Sequence, residues 1–269
     1  MPDDLWKAVK SWVVSGPQDS RLHGPRQQVE GFQMAIAWEA VARMMQYRAA
    51  SDAAKAREML IYVPAVDVAK TCQLTRDEYR RALQVVNMTK TGKLLGMCPL
   101  FVGMRVRLNV KLSPKHKVMH DAAGTVMGFE FDPMEKTWWK SDATHAARLA
   151  GHVTLEYLPQ AVYVKFDGLQ VDVGIGAGIL PIRPTKGSWV YKAHRSQSGR
   201  RNVINVDMKR IQIPLAPEKV RTVQTAQGLS MDAAMMLLTK PQYMSMDDWW
   251  MHLYVMISRV RTSAHILVY

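Results

Sequence analysis

Short segments rich in β-forming residues dominate the chain between Gly103 and Ile213. The segments alternate in part between apolar and polar residues, and glycine, proline and polar loops separate them. Short alternating segments with frequent turn signals are typical of a small twisted β-barrel or of a β-sandwich. In chain order they are MRVRLNV, GTVMGFEF, AVYVKFDG, GILPIRP and NVINVDMKRIQI. The middle of the chain is therefore predicted to fold as an all-β element.

The residues before this element predict a mixture of helix and strand. Apolar residues recur at helical spacing in Gln28–Ala50, which predicts one amphipathic helix. The apolar run Met59–Val63 predicts a buried strand. Thr75, followed three residues later by Glu78, forms a capping box, which predicts a helix from there to about Val86.

The segment after Pro214 predicts helices and strands in alternation. Pro217 suits the first position of a helix, and Gly228 suits the left-handed residue that ends one. The apolar run Ala233–Leu238 fits a strand or a helix equally well on composition. Ser245 is the predicted N-cap of a helix with Trp249–Val260 as its body, and the chain closes on an apolar strand, HILVY. Such alternation is typical of an α/β sheet with loops at one edge.

Basic residues outnumber acidic ones, and the excess lies in the middle of the chain. Lys and Arg number 36 against 23 Asp and Glu, which gives a net charge of +13. Residues 101–211 hold 17 basic and 9 acidic residues, whereas residues 212–269 hold 5 and 4. A basic excess in one folded region favours polyanion binding, because phosphate contacts release condensed counterions. A solvated surface kept soluble by its charge fits the composition equally well.

The cysteines and the N-terminus bear on the compartment. Cys72 and Cys98 form neither a metal-binding spacing nor a disulfide framework, which fits a reducing compartment. The N-terminal sequence MPDDLWKAVK has acids where a signal peptide has bases, and its apolar stretch is short. Charged residues interrupt the longest apolar stretches before they could span a membrane. We therefore expect a soluble protein that is not secreted.

Two motifs near the C-terminus carry a resemblance to a known family. TVQTAQGLSMD is followed further along the chain by YVMISRVRT. This pair resembles the last two motifs of superfamily-one DNA helicases of the Pif type, including the helicase part of Helitron transposons. The family pattern there is roughly T-[IV]-x-K-[SA]-Q-G-x-[ST]-x-D, then Y-V-A-x-S-R. Upstream, GMRVRLNV, HDAAGTVMGF, AVYVKFDG and RIQIPLAP occur in the family's order, so the resemblance covers residues near 95 to 269 and is weak for residues 1–60.

The resemblance implies a fold and a site. The fold would be α/β, the second RecA-like lobe of a P-loop NTPase with an inserted small Src-homology-type β-barrel. ATP and Mg²⁺ would be held mainly by a first lobe, with Gln227 and Gly228 in a loop near the nucleotide and Arg259 as arginine finger. The chemistry needs a guanidinium because it keeps its proton and binds two phosphate oxygens at once. Single-stranded DNA would contact the following residues: Thr222, Thr225, Ser230, Arg105 and Arg107.

The chain departs from the family at several positions. Thr225 and Ala226 stand where the family usually has lysine and serine before Gln-Gly. No P-loop is present, since the one Gly-Lys pair, Gly92–Lys93, is followed by leucine and lacks the first glycine. Asp67 ends an apolar run, but Val68 follows it where a magnesium-binding pair has a second acid. These departures predict that the first motor lobe is not in this chain, and they predict no metal site.

The sequence thus predicts the C-terminal part of an ATP-dependent DNA helicase that is inactive alone because it lacks the P-loop lobe. The predicted domains are an N-terminal extension (1–26), the first part of the lobe (27–100), the nucleic-acid-binding barrel (101–211) and the second part of the lobe (212–269). Expected partners are single-stranded DNA and the missing first lobe, in cis or in trans, and no membrane. The protein would be nuclear in a eukaryote and otherwise cytoplasmic. Two alternatives stay open: a non-enzymatic nucleic-acid-binding module or decayed transposon remnant, and a structural protein that binds an acidic partner.

Two other patterns favour plain structural roles. VGIGAG, at residues 173–178, leads into Ile179–Arg183 rather than into a helix, so a flexible turn is favoured over a dinucleotide-binding loop. Trp138, Trp139 and Trp189 lie beside lysines and could stack on bases, but they are favoured as cover for the edge of a core.

Overall fold

The computed structural model describes residues 31–112, 118–136, 151–197, 200–261 and 266–268. Within these residues the helices are α1 (Trp38–Ala56), α2 (Arg76–Leu83) and α3 (Met246–Ile257). The strands are β1 (Phe32–Ala35), β2 (Leu60–Pro64), β3 (Val66–Ala69), β4 (Met97–Leu100), β5 (Arg105–Leu108), β6 (Ala123–Glu130), β7 (His152–Thr154), β8 (Ala161–Phe166), β9 (Ile179–Ile182), β10 (Thr185–Gln197), β11 (Arg200–Gln212), β12 (Leu215–Pro217), β13 (Val220–Thr222), β14 (Ala234–Leu237) and β15 (Ile266–Val268). None of the described helices is long and apolar enough to cross a membrane.

The chain divides into two compact units. The first comprises the described parts of residues 1–45 and 219–269, and the second comprises those of residues 46–218. The sequence placed residues 46–100 with the lobe, whereas most of their contacts lie within the second unit. The predicted N-terminal extension (1–26), Trp138 and Trp139 lie outside the described residues. The assignment of these units to a lobe and an insertion stays a prediction.

A four-stranded parallel sheet forms the first unit, in the order β13-β1-β14-β15. One of its two inner strands, β1, occupies residues that the sequence assigned to the start of a helix over Gln28–Ala50. That prediction is wrong for Phe32–Ala35 because these residues pair on both sides with strands from the far end of the chain. It is confirmed from Trp38 onward, where α1 buries the helically spaced residues Val41 and Met45.

A second correction concerns the helix predicted to begin at Pro217. Pro217 is the last residue of β12, and Val220–Thr222 is the edge strand β13. All three residues of β13 are buried, so pairing with β1 prevails over the local helical spacing. Only a 3-10 turn at Gln224–Ala226 is helical. The open choice for Ala233–Leu238 is settled as strand, since it contains β14.

The core of the first unit lies between this sheet and α3. Methionine and aliphatic side chains dominate it, and Trp249 and Trp250 of α3 pack against it half-buried. The buried members are Met34, Ile36, Val223, Ala226, Met231, Ala234, Met236, Leu253, Met256, Ile266 and Val268. The predicted cap of α3 is confirmed, because Ser245 Oγ accepts a hydrogen bond from Asp248 N at 3.0 Å. The predicted closing strand is confirmed as β15.

The largest sheet of the second unit is antiparallel, in the order β12-β5-β6-β8-β9. Strict alternation along β8 buries Val162, Val164 and Phe166 on one face and leaves Tyr163 half-exposed and Lys165 exposed on the other. The predicted β-segments are therefore confirmed as strands. Among the described residues the edge strands β12 and β9 do not pair, so the sheet is open and no closed barrel is seen.

Two three-stranded sheets complete the second unit. The predicted strand Met59–Val63 is confirmed as β2, which lies between β4 and β7 and extends to Pro64. β10 and β11 form one long hairpin, and β3 pairs with β11. The polar segment 193–201 has the composition of a loop, but 193–197 and 200–201 lie in these two strands, where Ser196 pairs with Arg201 and Gln197 with Arg200.

Helix α2 covers the other face of the hairpin sheet. Ala82 of α2 packs with Trp189, Tyr191, Val206 and Met208. Trp189 is 6 % exposed, so it is a core residue, as the sequence favoured, and its ring is not available for stacking on a base. The predicted capping box that starts α2 is confirmed: Thr75 Oγ1 accepts from Glu78 N at 3.2 Å, and Thr75 N donates to Glu78 Oε2 at 2.8 Å.

Glu78 also receives a charged partner from the hairpin. Arg195 Nε and Nη2 donate to the two carboxylate oxygens of Glu78 at 2.9 and 3.0 Å, and the Glu78 side chain is 7 % exposed. The hydrogen bond from Arg195, followed by the one from Thr75, lowers the pKa of Glu78 from 4.5 to about 2. Because this pKa is lowered by folding, the stabilisation is complete above pH 4.5 and is lost as the pH falls towards about 2.

We expect Glu78→Gln to destabilise the second unit by about 1.5–3 kcal/mol at pH 7, because a hydrogen-bonded charge pair is lost. Gln at this position still completes the capping box, so the start of α2 should be preserved. Urea unfolding followed by circular dichroism checks this, with wild type and variant compared from pH 7 to acid. The difference between them should shrink below pH 4.5, and a difference that stayed constant down to acid would contradict the role of the carboxylate charge.

A buried ion pair joins β3 to β11. Arg210 Nε and Nη2 donate to Asp67 Oδ1 and Oδ2 at 2.8 and 2.7 Å, and the two side chains are 0 % and 1 % exposed. Arg210 also donates to the carbonyl oxygens of Ala82 and Leu94, and its guanidinium lies 4.8 Å from the centre of the Trp189 ring. The side chain of Asp67 therefore holds the hairpin to β3. This structural role explains why an aspartate ends the apolar run although no second acid follows it to complete a magnesium-binding pair.

The VGIGAG segment forms a tight turn whose backbone amides bind the side chain of Asp172. Asp172 Oδ1 accepts from Gly174 N at 2.8 Å and from Gly176 N at 3.0 Å. Gly174 and Gly176 have φ of 92° and 114°, which only glycine adopts without strain. The segment leads into β9, as the sequence predicted, and its amides bind the carboxylate of Asp172.

Candidate functional site

The Gln227–Gly228 loop lies in the first unit, between β13 and β14. The 3-10 turn ends at Ala226, the backbone of Gln227 is extended, and Gly228 has φ of 81°. Gln227 and Gly228 are both exposed, and a Cβ at Gly228 would meet no heavy atom within 4 Å. The predicted left-handed glycine is therefore confirmed. Among the described residues, no side chain fills the space directly beside Gly228.

Two predicted contact residues in this segment fold the turn itself. Thr225 N donates to Thr222 Oγ1 at 3.3 Å, and Thr225 Oγ1 donates to the Thr222 carbonyl at 3.0 Å. Thr222 is 1 % exposed and Thr225 is half-buried, whereas Ser230 is exposed. Arg221 Nη1 donates to the Thr225 carbonyl at 3.2 Å. The two threonine hydroxyls thus position the loop, and Ser230 is the predicted contact residue that is open to solvent.

The loop is joined to the end of α3 through the backbone. Met231 N donates to the Arg259 carbonyl at 2.8 Å, and Arg261 N donates to the Met231 carbonyl at 3.0 Å. These two bonds form a parallel bridge between Met231 and Val260, just before β14 and β15. The two motifs found in the sequence therefore meet at the edge of the sheet where these two strands begin.

Arg259 extends from the end of α3 beside this bridge. Its Nη2 and Nε donate to Ser258 Oγ at 2.9 and 3.2 Å, and Nε also donates to the Val255 carbonyl at 3.2 Å. Ser258 Oγ in turn donates to Val255 O at 2.9 Å, so the serine orients the guanidinium. Arg259 is half-buried and forms no salt bridge with any residue in the described ranges. An uncompensated guanidinium held in this way can bind an anionic oxygen.

A histidine that the sequence did not single out ties the 3-10 turn to α3. His252 Nδ1 lies 2.6 Å from the Asp248 carbonyl, and its Nε2 lies 3.0 Å from Gln224 Nε2. A carbonyl only accepts, so Nδ1 carries the hydrogen and Nε2 of the neutral ring accepts from the Gln224 amide. The turn before Gln227 and the helix before Arg259 are thereby linked through side chains as well as through backbone.

The two arginines predicted to bind DNA in the second unit are engaged within the protein. Arg105 donates to both carboxylate oxygens of Asp167 at 2.8 and 2.6 Å and to Glu218 at 2.8 Å. Arg107 is 2 % exposed and donates to Asp121 at 3.2 Å. The resemblance implied DNA contacts for both residues, but their acidic partners lie far from them in sequence. Neither side chain presents an unpaired cation to a phosphate.

The residues fit an ATP phosphate better than they fit Mg²⁺. Arg259 offers a cation and Gly228 an open backbone, which suits phosphate oxygens. In the described part of the chain, no group of three or more His, Cys, Asp or Glu residues could hold a metal ion. The chain thus contains a candidate phosphate contact without a matching set of magnesium ligands in the described residues.

The fold resembles solved helicase structures, although the sequence matches no family model. No protein-family model matches the sequence, and no curated protein matches it. The solved structures that it resembles include Bacteroides Pif1 bound to ssDNA (TM-score 0.52, 12% identity) and the Pif1 helicase from Candida albicans (TM-score 0.53, 14% identity). A third is the Bacteroides Pif1 helicase in complex with ADP-AlF3 and ssDNA (TM-score 0.52, 14% identity).

These similarities extend over all of this chain and over part of each relative. They cover 100% of the chain, including the residues before 60 where the sequence resemblance was weak. They cover 45% of the Bacteroides chain in both of its structures and 49% of the Candida chain, so this chain spans less than half of their length. The chain has a mixed α/β fold that is shared with part of the Pif1 helicases.

Proposed function

We propose that the chain is the C-terminal part of a Pif-type DNA helicase related to the helicases of Helitron transposons. Residues 27–100 and 212–269 would form its second RecA-like lobe, and residues 101–211 would form a small inserted domain of the Src-homology barrel type. The observation that carries the proposal is the Met231–Val260 bridge, which joins the backbone just after the Gly228 loop to the backbone beside Arg259 at the end of α3. The fold shared with Pif1 helicases supports it.

Each residue of the site would have a distinct task in the complete motor. ATP, held with Mg²⁺ mainly by the first lobe, supplies the phosphoryl group. Arg259 binds the charge that develops on the γ-phosphate oxygens, and Ser258 keeps the guanidinium in place. Gln227, Gly228 and Ser230 lie exposed on the loop beside nucleotide and DNA, and the hydroxyls of Thr222 and Thr225 keep that loop in shape.

The purified 269 residues should bind single-stranded DNA and should not hydrolyse ATP. The sequence has no P-loop, so no amide cradle or P-loop lysine would hold the phosphates. ATP hydrolysis with and without a thymidine oligonucleotide, together with binding of that oligonucleotide at several salt concentrations, checks both parts. Robust DNA-stimulated hydrolysis by this chain would contradict the proposal, as would the absence of any salt-dependent DNA binding.

The missing P-loop favours one alternative, a nucleic-acid-binding module or a decayed transposon remnant without motor activity. The genomic DNA upstream of the coding sequence distinguishes the proposed helicase from a remnant. An in-frame first lobe with a P-loop and an Asp-Glu pair supports the helicase, whereas stop codons there support the remnant. A helicase of this type would work in DNA repair or recombination, in the nucleus of a eukaryote or otherwise in the cytoplasm.

A further inference from the structure

The outer face of the five-stranded sheet carries an aromatic ring close to two cations. Tyr163 and Lys165 lie two residues apart on β8, so alternation places them on the same face, opposite the buried valines. Across the sheet Tyr163 pairs with Gly128 of β6 on one side and with Pro181 of β9 on the other. Arg183 follows β9 directly and is exposed.

The ring of Tyr163 has an open flank and a fixed position. Its cross-strand neighbour Gly128 has no side chain, and a Cβ there would meet no heavy atom within 4 Å. The Tyr163 hydroxyl donates to Glu130 Oε2 at 2.9 Å, which anchors the far end of the ring. This hydrogen bond raises the pKa of Tyr163, and the charge of Arg183 partly opposes the rise.

Lys165 and Arg183 differ from the arginines of β5 in having no carboxylate partner in the described residues. Within the described ranges no carboxylate lies within ion-pair distance of Lys165 or Arg183, whereas Arg105 is bound by two carboxylates. Residues 46–218 hold 26 of the 36 basic residues and 15 of the 23 acidic ones, a net charge of +11. Lys165 and Arg183 are therefore exposed cations without an ion-pair partner in the described residues, on the unit that carries nearly all of the protein's excess charge.

We propose that Tyr163, Lys165 and Arg183 form a stacking platform for single-stranded nucleic acid. One base stacks on the ring of Tyr163, and the two cations contact the phosphates that flank it. This proposal rests on the proposed function, which makes single-stranded DNA a partner of the chain. Aromatic rings that stack bases beside cations that follow the backbone are the chemistry of binding without sequence preference. An acidic peptide would use the cations but would leave the open ring unused.

The test is the binding of a fluorescein-labelled thymidine oligonucleotide to the full chain, measured by fluorescence anisotropy. Tyr163→Ala should weaken binding by about 5- to 150-fold, the range found for losing one stacked base. Tyr163→Phe should bind nearly as wild type, because it loses the hydroxyl but keeps the ring. Tyr47→Ala is the matched control, since Tyr47 is a 74 % exposed tyrosine on α1 of the same chain.

The salt dependence separates stacking from phosphate contact. Lys165→Ala and Arg183→Ala should each reduce the slope of log affinity against log salt by about 0.7, because each removes one phosphate contact to a single strand. Tyr163→Ala should leave that slope unchanged. Circular dichroism of each variant confirms that the sheet is intact, and Tyr163→Phe supplies a ring-preserving variant if the alanine variant does not fold.

The outcomes distinguish this proposal from the function on which it rests. If the wild-type chain binds no oligonucleotide at any salt concentration, both proposals are overturned. If it binds, and Tyr163→Ala behaves like Tyr47→Ala, the platform is wrong and the proposed function stands. Displacement of the oligonucleotide by polyglutamate, with a loss of affinity for Lys165→Ala and none for Tyr163→Ala, would assign this face to an acidic protein and would also overturn the platform.

Discussion

Arg259→Ala, in a protein completed by its P-loop lobe, should lower DNA-stimulated ATP hydrolysis at saturating ATP by about 10³- to 10⁵-fold. The guanidinium is held by Ser258 and Val255 and meets no carboxylate in the described residues, so it can bind an anion, which in the proposed function is the γ-phosphate. An arginine that acts only in the transition state affects kcat far more than the affinity for ATP. Steady-state kinetics of variant and wild type, measured with the same oligonucleotide, checks this.

Two further variants make the expected loss specific. Arg259→Lys should recover little activity, because an ammonium cannot bind two phosphate oxygens as a planar guanidinium does. Arg43→Ala is the matched control, since Arg43 is an exposed arginine on α1 and should leave kcat close to wild type. If Arg259→Ala hydrolysed ATP as fast as Arg43→Ala, Arg259 would be no more than a cation that stabilises the end of α3.

Features of this fold that depend only on residues close by along the chain could be predicted from the sequence. The starts of α2 and α3 are set by hydrogen bonds over three residues, from Glu78 N to Thr75 and from Asp248 N to Ser245. A capping residue acts on the turn that follows it, so its signal is complete within a short segment. For the same reason Gly228 could be identified as a left-handed residue.

Features set by distant residues could not be predicted. Phe32–Ala35 has the apolar spacing of a helix, yet it is an inner strand of a parallel sheet because β13 and β14 supply its partners. Arg105 was interpreted as a free cation because Asp167 and Glu218 are near it only in space. Most of β11 was predicted from NVINVDMKRIQI, but its partner β10 was missed because its end is polar and the pairing is seen only in the structure.

The candidate site shows the same division. Gln227, Gly228 and Arg259 could be found because each belongs to a short motif, whereas the bridge that joins them required the structure. The link from Gln224 to His252 left no signal in the sequence, since the two residues lie on separate elements. Tyr163 and Lys165 could have been found, because the alternation of AVYVKF places both on the polar face of the strand.

Asp67→Asn should destabilise the second unit by about 3–5 kcal/mol, the usual cost of leaving one partner of a buried ion pair without the other. The substitution keeps the shape of the side chain but removes its charge, so the buried guanidinium of Arg210 would have only neutral acceptors, the amide oxygen at position 67 and the carbonyls of Ala82 and Leu94. Urea unfolding followed by circular dichroism gives the change in the free energy of unfolding. The matched control is Asp77→Asn, whose partner Arg80 is 61 % exposed, and its expected cost is below about 1 kcal/mol.

A double-mutant cycle then tests whether the cost comes from the pair. Arg210→Met alone should also be strongly destabilising, because it strands the buried Asp67 carboxylate and frees the carbonyl oxygens of Ala82 and Leu94. The combination of Asp67→Val with Arg210→Met removes both charges, so it should cost clearly less than Asp67→Val and Arg210→Met do when measured separately and added. Additive costs would mean that the two side chains stabilise β3 and β11 independently, and that the acid at position 67 does not hold the hairpin through its charge.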